Sequence, residues 1–219
     1  MRLRSHAVST DHKLSVMQKS NQAPNDLIEH EQLASRVAAL ESKVAAGLQR
    51  HRIIDLYMRY TRGLNRHDME LLTGVFWPDA QINYGFSSWL RDEWISLWER
   101  ERYLKGMSCQ AHHITNETID IDDDLAHVES YLIAFWRPPT DETPALILAG
   151  RYIDRLDRRE DEWRISVREF IPHFWTEARS IFHATFTESS WPHTDIGLGA
   201  FNRNDLRYLR PLTPRPREG

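Results

Sequence analysis

The fold is decided by an alternating stretch late in the chain, WRISVR at residues 163–168. Every second residue in it is apolar and the residues between are polar, which is the period of a β-strand with one buried face. Three similar extended segments precede it, at residues 111–121, 126–136 and 145–156. Short polar or proline-containing connectors join the segments, so they are predicted to pair antiparallel as neighbours in one sheet.

Helical patterns come before these strands. The apolar residues from Leu33 to Val44 recur in steps of four and three, which predicts a helix with a helix-packing seam over residues 26–48. Gly47 interrupts this pattern, and a second helical face runs from Ile53 to Leu64. A tryptophan-rich helix is predicted over residues 88–104. Helices followed by strands predict an α+β domain, in which helices cover one face of a curved antiparallel sheet that encloses a pocket.

The same patterns predict four parts of the chain. Residues 1–25 are expected to be a flexible N-terminal tail, and residues 26–48 an amphipathic helix. Residues 49–175 are expected to form the α+β domain. Residues 176–219 are a C-terminal extension that would serve as a lid over the pocket or as an oligomer contact.

Composition excludes several classes of protein. The 219 residues are 41% hydrophobic and 27% charged, a mixture typical of a globular domain. No stretch reaches the roughly 18 apolar residues of a membrane span, and the N-terminus lacks the apolar region of an export signal. The single cysteine, Cys109, can form no internal disulfide, and a net charge of -4 gives no positive field for nucleic acid. We therefore expect a cytoplasmic protein that binds neither nucleic acid nor a membrane.

The common cofactor and metal motifs are missing from the sequence. It contains no phosphate-binding GxxxxGK[ST], no HExxH and no GxSxG, and the pair Gly197 and Gly199 lacks the third glycine of a dinucleotide site. The acidic residues from Asp120 to Asp124 lie at a strand-to-strand turn, where solvated hairpin acids are the better interpretation. We expect neither a metal nor a cofactor.

The adjacent residues His112 and His113 are the first candidates for chemistry. Neighbouring residues on a strand point to opposite faces, so only one of the two rings can face the pocket. Taken alone, hydrogen-bonded sheet histidines are a commoner outcome than catalysis. Tyr57, Tyr84 and Tyr131 are in the same way core aromatics unless other evidence assigns them a role.

Eight short segments, read in order, resemble the SnoaL-like branch of the nuclear transport factor 2-like superfamily. They are RIIDLY (52–57), GLNRHD (63–68), FWPDA (76–80), INYG (82–85), HHITN (112–116), AHVESY (126–131), AGRYID (149–154) and EWRI (162–165). The resemblance covers about residues 50–175. It implies a cone-shaped barrel of bent antiparallel sheet, wrapped by helices, with an apolar pocket in its mouth.

The resemblance also implies a chemistry, because the family includes cofactor-free dehydratases and dehydrochlorinases. It assigns His112 as the base and places Asn65 where the family has an aspartate that orients this base. Asparagine can fix an imidazole tautomer but cannot stabilise imidazolium as a carboxylate does. Tyr84 would polarise a substrate carbonyl, and Arg151 would be a buried cation that holds an anionic oxygen or pairs with Glu169. The other implied pocket residues are Tyr57, Trp77, Tyr131, Ile133 and Phe135.

Three functions remain open at this point. The first is a cofactor-independent lyase, dehydratase or isomerase that abstracts a proton from a small aromatic, phenolic or polycyclic substrate, in an elimination or a retro-aldol-type cleavage. The second is a non-catalytic scaffold like the small subunit of ring-hydroxylating dioxygenases, and the third is a ligand-binding module. A homo-oligomer, either a dimer or a trimer, is expected in each case.

Overall fold

The computed structural model describes residues 9–85, 87–105, 109–137 and 144–178. The chain divides into two units, Met1–Gln49 and Arg50–Gly219. The helices are α1 (Ser9–Arg66), α2 (Met69–Thr73) and α3 (Arg91–Lys105). The strands are β1 (Phe76–Asn83), β2 (Ser88–Leu90), β3 (Cys109–Asp122), β4 (Leu125–Arg137), β5 (Ala145–Arg159) and β6 (Glu162–Ala178).

The six strands form one sheet in the order β2-β1-β6-β5-β4-β3. The four long strands β3 to β6 form the predicted antiparallel meander, and the α+β class is confirmed. The sheet is open rather than closed into a barrel, and its β1–β6 pair is parallel, unlike the antiparallel pairs that the sequence predicts. The connection from β1 to β6 contains four strands and a helix, and a connection of that length allows parallel pairing.

The N-terminal helix differs from the prediction. Helix α1 runs without a break from Ser9 to Arg66, through Gly47, so it includes most of the expected tail and joins the two expected helices. A glycine inside a helix costs only about 1 kcal/mol, which continuous helical sequence on both sides can offset. Residues 1–8 and 179–219 lie outside the described residues, and the predicted lid falls in the second of these segments.

Helix α3 begins three residues later than expected. Ser88, the first residue of the predicted helix, belongs instead to the short strand β2, where it pairs with Asn83 of β1. The side chain of Glu93 accepts a hydrogen bond from the backbone N–H of Leu90 at 2.9 Å, and this contact caps the helix. The sequence pattern could not separate these two elements because β2 is only three residues long.

The hydrophobic core of the second unit lies between the helices and one face of the sheet. Buried residues of α1, such as Tyr57, Tyr60 and Leu64, contact this face. Along β4 the even-numbered residues from Ala126 to Ala134 are buried, whereas the odd-numbered residues from His127 to Phe135 are half-buried or exposed. Alternation of this kind fixes which side chains can reach a site on the inner face.

Gly150 of β5 allows a close backbone approach, and its replacement by alanine is expected to lower the free energy of unfolding by about 1–3 kcal/mol. A Cβ atom there would lie 2.7 Å from the carbonyl oxygen of Ile171 and 2.7 Å from the ring of Phe170. Gly47 is the matched control, because a Cβ there meets nothing within 4 Å and Gly47→Ala should stabilise the helix by about 1 kcal/mol. Urea denaturation measures the free energy of unfolding, which should fall in Gly150→Ala and rise in Gly47→Ala. Equal changes in the two variants would contradict this prediction.

Candidate active site

The site is built around the side chain of His112 on β3. The Nδ1 atom of His112 lies 2.7 Å from Oδ1 of Asn65, which is located near the end of α1. The same Oδ1 accepts the backbone N–H of His112 at 2.9 Å, and Nδ2 of Asn65 donates to the His112 carbonyl at 3.4 Å. These backbone contacts fix the orientation of the amide, so Nδ1 must carry the proton and Nε2 must carry the lone pair.

Burial makes His112 hard to protonate. Only 6% of the residue is exposed, and burial together with the nearby rings of His113 and His67 lowers its pKa to about 3. The amide of Asn65 accepts a hydrogen bond but brings no negative charge that would counter this effect. At neutral pH the ring is therefore a neutral acceptor with one defined tautomer.

His112 faces a cavity of about 40 Å³ whose walls are mostly aromatic. The lining residues are Tyr60, Leu64, Tyr84, Trp94, Trp98, His112, Leu132, Trp136, Leu148, Tyr152 and Phe170. The rings of Trp98 and Trp136 pack edge-on against the imidazole, at centroid distances of 5.9 and 5.4 Å. The cavity has room for only a few water molecules, since each needs about 10–15 Å³. A ring-bearing ligand therefore enters only if side chains of the wall shift.

Three tyrosines line the cavity together with His112. The hydroxyl oxygens of Tyr60 and Tyr152 are 3.1 Å apart, and Tyr84 interacts with both residues. Burial raises the pKa of all three phenols above the ordinary value. They remain protonated at neutral pH and can donate hydrogen bonds to an oxygen in the cavity.

A fully buried ion pair lies behind these tyrosines. Arg168 of β6 binds both carboxylate oxygens of Asp154, at 2.8 and 2.6 Å, and the Tyr57 hydroxyl donates to the same carboxylate at 2.6 Å. The guanidinium lies between the rings of Tyr60 and Tyr152, with centroid distances of 4.2 and 3.9 Å. Burial lowers the pKa of Arg168, but the nearby carboxylate of Asp154 raises it by more, so the pKa of Arg168 lies above its ordinary value. The cation counteracts part of the rise in the tyrosine pKa values, because it favours negative charge at the hydroxyls.

Three of the candidate catalytic residues are brought together. His112 and Tyr84 line the same cavity, and Asn65 binds the imidazole. His113 points to the opposite face, where it packs against Phe135, so the expectation that only one of the two histidines faces the pocket is confirmed.

The fourth candidate, Arg151, lies outside this group. It is on the outer face of the sheet, where Nη1 binds Glu129 at 2.9 Å with both side chains about one-third exposed. Glu169 is exposed and accepts a hydrogen bond from Asn83 instead of pairing with Arg151. The buried cation that was expected at Arg151 is Arg168, from the neighbouring strand.

Most of the predicted substrate-binding residues do not line the cavity. Tyr131, Ile133 and Phe135 are 39–43% exposed on the outer face of β4, since the inner face takes the even-numbered residues. Trp77 donates from Nε1 to the carbonyl of Asp157 and packs against two guanidinium groups, away from the cavity. Tyr57 is fully buried, but its hydroxyl is bound to Asp154 and it does not line the cavity.

Sequence reasoning missed several residues that form the site. The sequence predicts Tyr60 and Leu64 on the core face of one helix and Trp94 and Trp98 on a second, amphipathic helix, and it assigns none of them to the pocket. Their spacing of four residues puts each pair on one helical face, which was the available signal. Tyr152 follows the predicted site residue Arg151, and Arg168 precedes the predicted site residue Glu169. Neighbouring residues on a strand point to opposite faces, so a prediction that chooses the wrong face names the adjacent residue.

The described residues contain neither a group of metal ligands nor a membrane-spanning helix. Within residues 9–85, 87–105, 109–137 and 144–178, no three His, Cys, Asp or Glu side chains are grouped so that they could hold a metal ion. In the same part of the chain, no helix combines the length and the apolar character needed to cross a membrane. The acidic hairpin residue Asp124 binds Arg158 at 2.6 Å.

The open sheet, the helix that packs on its inner face and the cavity between them define a nuclear transport factor 2-like fold. Residues 46–169 match the family model described as SnoaL-like domain, and the chain belongs to this family. No protein among curated sequences matches the chain.

Solved structures support the same fold. A candidate scytalone dehydratase from Novosphingobium aromaticivorans DSM 12444 is 24% identical, with a TM-score of 0.55, over 61% of this chain and 89% of its own. A hexachlorocyclohexane dehydrochlorinase, LinA-type3 from Novosphingobium barchaimii LL02, is 17% identical, with a TM-score of 0.57, over 64% and 96% of the two chains. At these identities the likeness establishes the fold alone.

Proposed function

We propose that the protein is a cofactor-independent lyase that abstracts a proton from a small aromatic substrate. The observation that carries this proposal is the contact of His112 Nδ1 with Asn65 Oδ1, which leaves Nε2 unprotonated on a ring that lines a cavity with tyrosines. A base and hydrogen-bond donors around one small space are what an elimination through an enolate requires. The dehydratase and dehydrochlorinase named above share the fold and agree with this class of reaction.

The proposed reaction begins when Nε2 of His112 takes a proton from a carbon next to a carbonyl group. The electron pair of the broken C–H bond forms an enolate, and negative charge develops on the carbonyl oxygen. Tyr84 or Tyr152 donates a hydrogen bond to that oxygen. The enolate then expels a hydroxyl group from the next carbon, and this group takes the proton back from His112 and leaves as water.

The low pKa of His112 sets a condition on this reaction. Imidazolium is unfavourable at a buried position where the pKa is about 3 and the orienting residue is a neutral amide. It can form only if negative charge develops close to it, since a nearby opposite charge stabilises a buried cation. An enolate or phenolate oxygen in the same cavity provides that charge, so we propose a substrate with a carbonyl or phenol group.

The cavity also limits the substrate. Its volume of about 40 Å³ favours a single ring over the polycyclic substrates that the sequence left open, because even one ring requires wall side chains to shift. Tryptophan and tyrosine side chains around the cavity favour a flat ring through edge and face contacts. We place the proposed reaction in the cytoplasm and in aromatic compound catabolism, with no nucleic-acid or membrane partner.

A ligand-binding module is the second candidate function, and the same pair of residues favours it. Asn65 and the low pKa of His112 make a weak base, which suits a hydrogen-bond acceptor in a binding site as well as a catalyst. In that case a ring ligand would bind and no bond would change.

The test uses β-hydroxypropiophenone, a one-ring ketone with a hydroxyl group β to the carbonyl, dissolved in D₂O. Elimination gives phenyl vinyl ketone, retro-aldol cleavage gives acetophenone and formaldehyde, and proton abstraction alone exchanges deuterium into the carbon next to the carbonyl. The proposal predicts one of these products above the rate without protein. Binding without product or exchange would overturn it and support the binding module.

Replacing Asn65 by aspartate is expected to raise the pKa of His112 by about 1–3 units, because a carboxylate would then face Nδ1. A higher pKa makes a stronger base, so turnover of β-hydroxypropiophenone should rise about tenfold at neutral pH. The acid limb of the rate profile, expected near pH 3 in the natural protein, should move to higher pH by the same number of units.

Histidine NMR titration of the Asn65→Asp protein beside the natural protein checks the pKa change at His112. An unchanged His112 pKa in the Asn65→Asp protein would contradict the proposed coupling between these two side chains.

A further inference from the structure

An apolar stripe lies on helix α1 within the first unit of the chain. Leu33, Val37, Leu40 and Val44 follow one another in steps of four, three and four residues. Their exposed fractions are 56%, 44%, 60% and 60%. Apolar residues at this spacing form a continuous line along a helix, and a line that is exposed in one chain is suited to contact with another helix.

The residue types in the stripe specify the kind of contact. The steps place Val37 and Val44 at the a positions of a heptad, and Leu33 and Leu40 at the d positions. Valine at a with leucine at d favours two helices side by side and parallel, over three or four. The partner that fits this surface is therefore a second copy of the same helix.

The charges beside the stripe indicate the same orientation. Arg36 occupies a g position and Glu41 the next e position. In a parallel pair, a g residue of one helix lies beside the following e residue of the other, so Arg36 meets Glu41 of the second copy in both directions. An antiparallel pair would instead bring Arg36 close to Lys43 of the second copy, which also lies at g and carries a like charge.

We propose that the chain dimerises through a parallel two-stranded coiled coil along Leu33–Val44. Two heptads are short for an isolated coiled coil, since forming the first helical turns is costly. Here the helix extends beyond the stripe at both ends, from Ser9 to Arg66. The free-energy cost of helix nucleation therefore does not fall on dimerisation. The proposal is independent of the chemistry at His112.

Disulfide trapping in the full-length protein tests the geometry. With Cys109 replaced by serine, Leu40→Cys places one thiol at a d position, which faces its own copy across a parallel pair. The matched control is Ser42→Cys, two residues away at an exposed f position on the opposite side of the helix. Mild oxidation should convert most of the Leu40→Cys protein, and little of the control, to a covalent dimer on a non-reducing gel. Equal cross-linking of the two proteins would overturn the proposal.

Sedimentation of variants with an altered stripe or reversed charges tests the same surface without a covalent link. Leu40→Glu should halve the mass measured by sedimentation, whereas Ser42→Glu should leave it unchanged. Arg36→Glu should weaken the dimer about tenfold, and the addition of Glu41→Arg should restore it. A natural protein with the mass of a single chain, or a dimer strengthened by Arg36→Glu, would overturn the parallel coiled coil.

Discussion

Replacing Asp154 by alanine is expected to lower the free energy of unfolding by about 3–5 kcal/mol. Both Asp154 and Arg168 are fully buried, and the carboxylate accepts two hydrogen bonds from the guanidinium and one from Tyr57. Removing it leaves the positive charge of Arg168 inside the core, against the faces of Tyr60 and Tyr152 and without a carboxylate partner. Urea denaturation, followed by circular dichroism, measures the loss.

Glu129→Ala is the matched control for this effect, because it breaks a carboxylate–arginine contact of similar length at the outer face of the sheet. Both of its side chains are about one-third exposed, and the expected loss is below about 1 kcal/mol. The double variant Asp154→Leu with Arg168→Met should recover most of the stability lost in Asp154→Ala, since it buries no charge. Equal losses in Asp154→Ala and Glu129→Ala would contradict this account of the buried pair.

Replacing His112 by glutamine is expected to reduce turnover of β-hydroxypropiophenone by about 100- to 10,000-fold. Glutamine keeps a polar group of similar reach in the cavity but has no nitrogen that can accept a proton near neutral pH. The tyrosine hydroxyls remain in the wall, so binding of a ring ligand should change much less than turnover. Steady-state kinetics and a binding isotherm on the same protein separate the two effects.

The adjacent His113 gives the control for this prediction. It is exposed on the opposite face of β3, where it packs against Phe135, and it does not line the cavity. His113→Gln should therefore leave turnover within about twofold of the natural protein. If both variants kept full turnover, His112 would not be the base and the proposed reaction would need another group.

The sheet could be predicted from the sequence because its signal is local. Alternation at residues 163–168 and in the three earlier segments fixes β-strands, and short connectors fix antiparallel neighbours. The parallel contact between β1 and β6 could not be predicted, because it joins residues about 90 positions apart and depends on how the whole chain closes. The continuous helix through Gly47 was missed because one glycine was given more weight than the helix formers on both sides.

The site was predicted in part, and the errors on the strands have one physical cause. The family resemblance assigned His112, Asn65 and Tyr84 to one site; in the structure His112 and Tyr84 line one cavity and Asn65 binds the imidazole. Arg151 and Phe135 were assigned to the wrong face of the sheet. Alternation shows that a strand has two faces but does not show which one is inside when both carry large side chains. A bulge near Asn116, where φ is 56°, shifts the alternation once more within β3.

The central claim is that a neutral His112 presents an unprotonated Nε2 to the cavity. Long-range ¹H–¹⁵N NMR of the histidine side chains measures this directly. The account predicts a His112 ring protonated at Nδ1 and bare at Nε2, unchanged from neutral pH down to about pH 4, because its pKa is about 3. A proton on Nε2 at neutral pH, or a ring fully protonated by about pH 5, would contradict it.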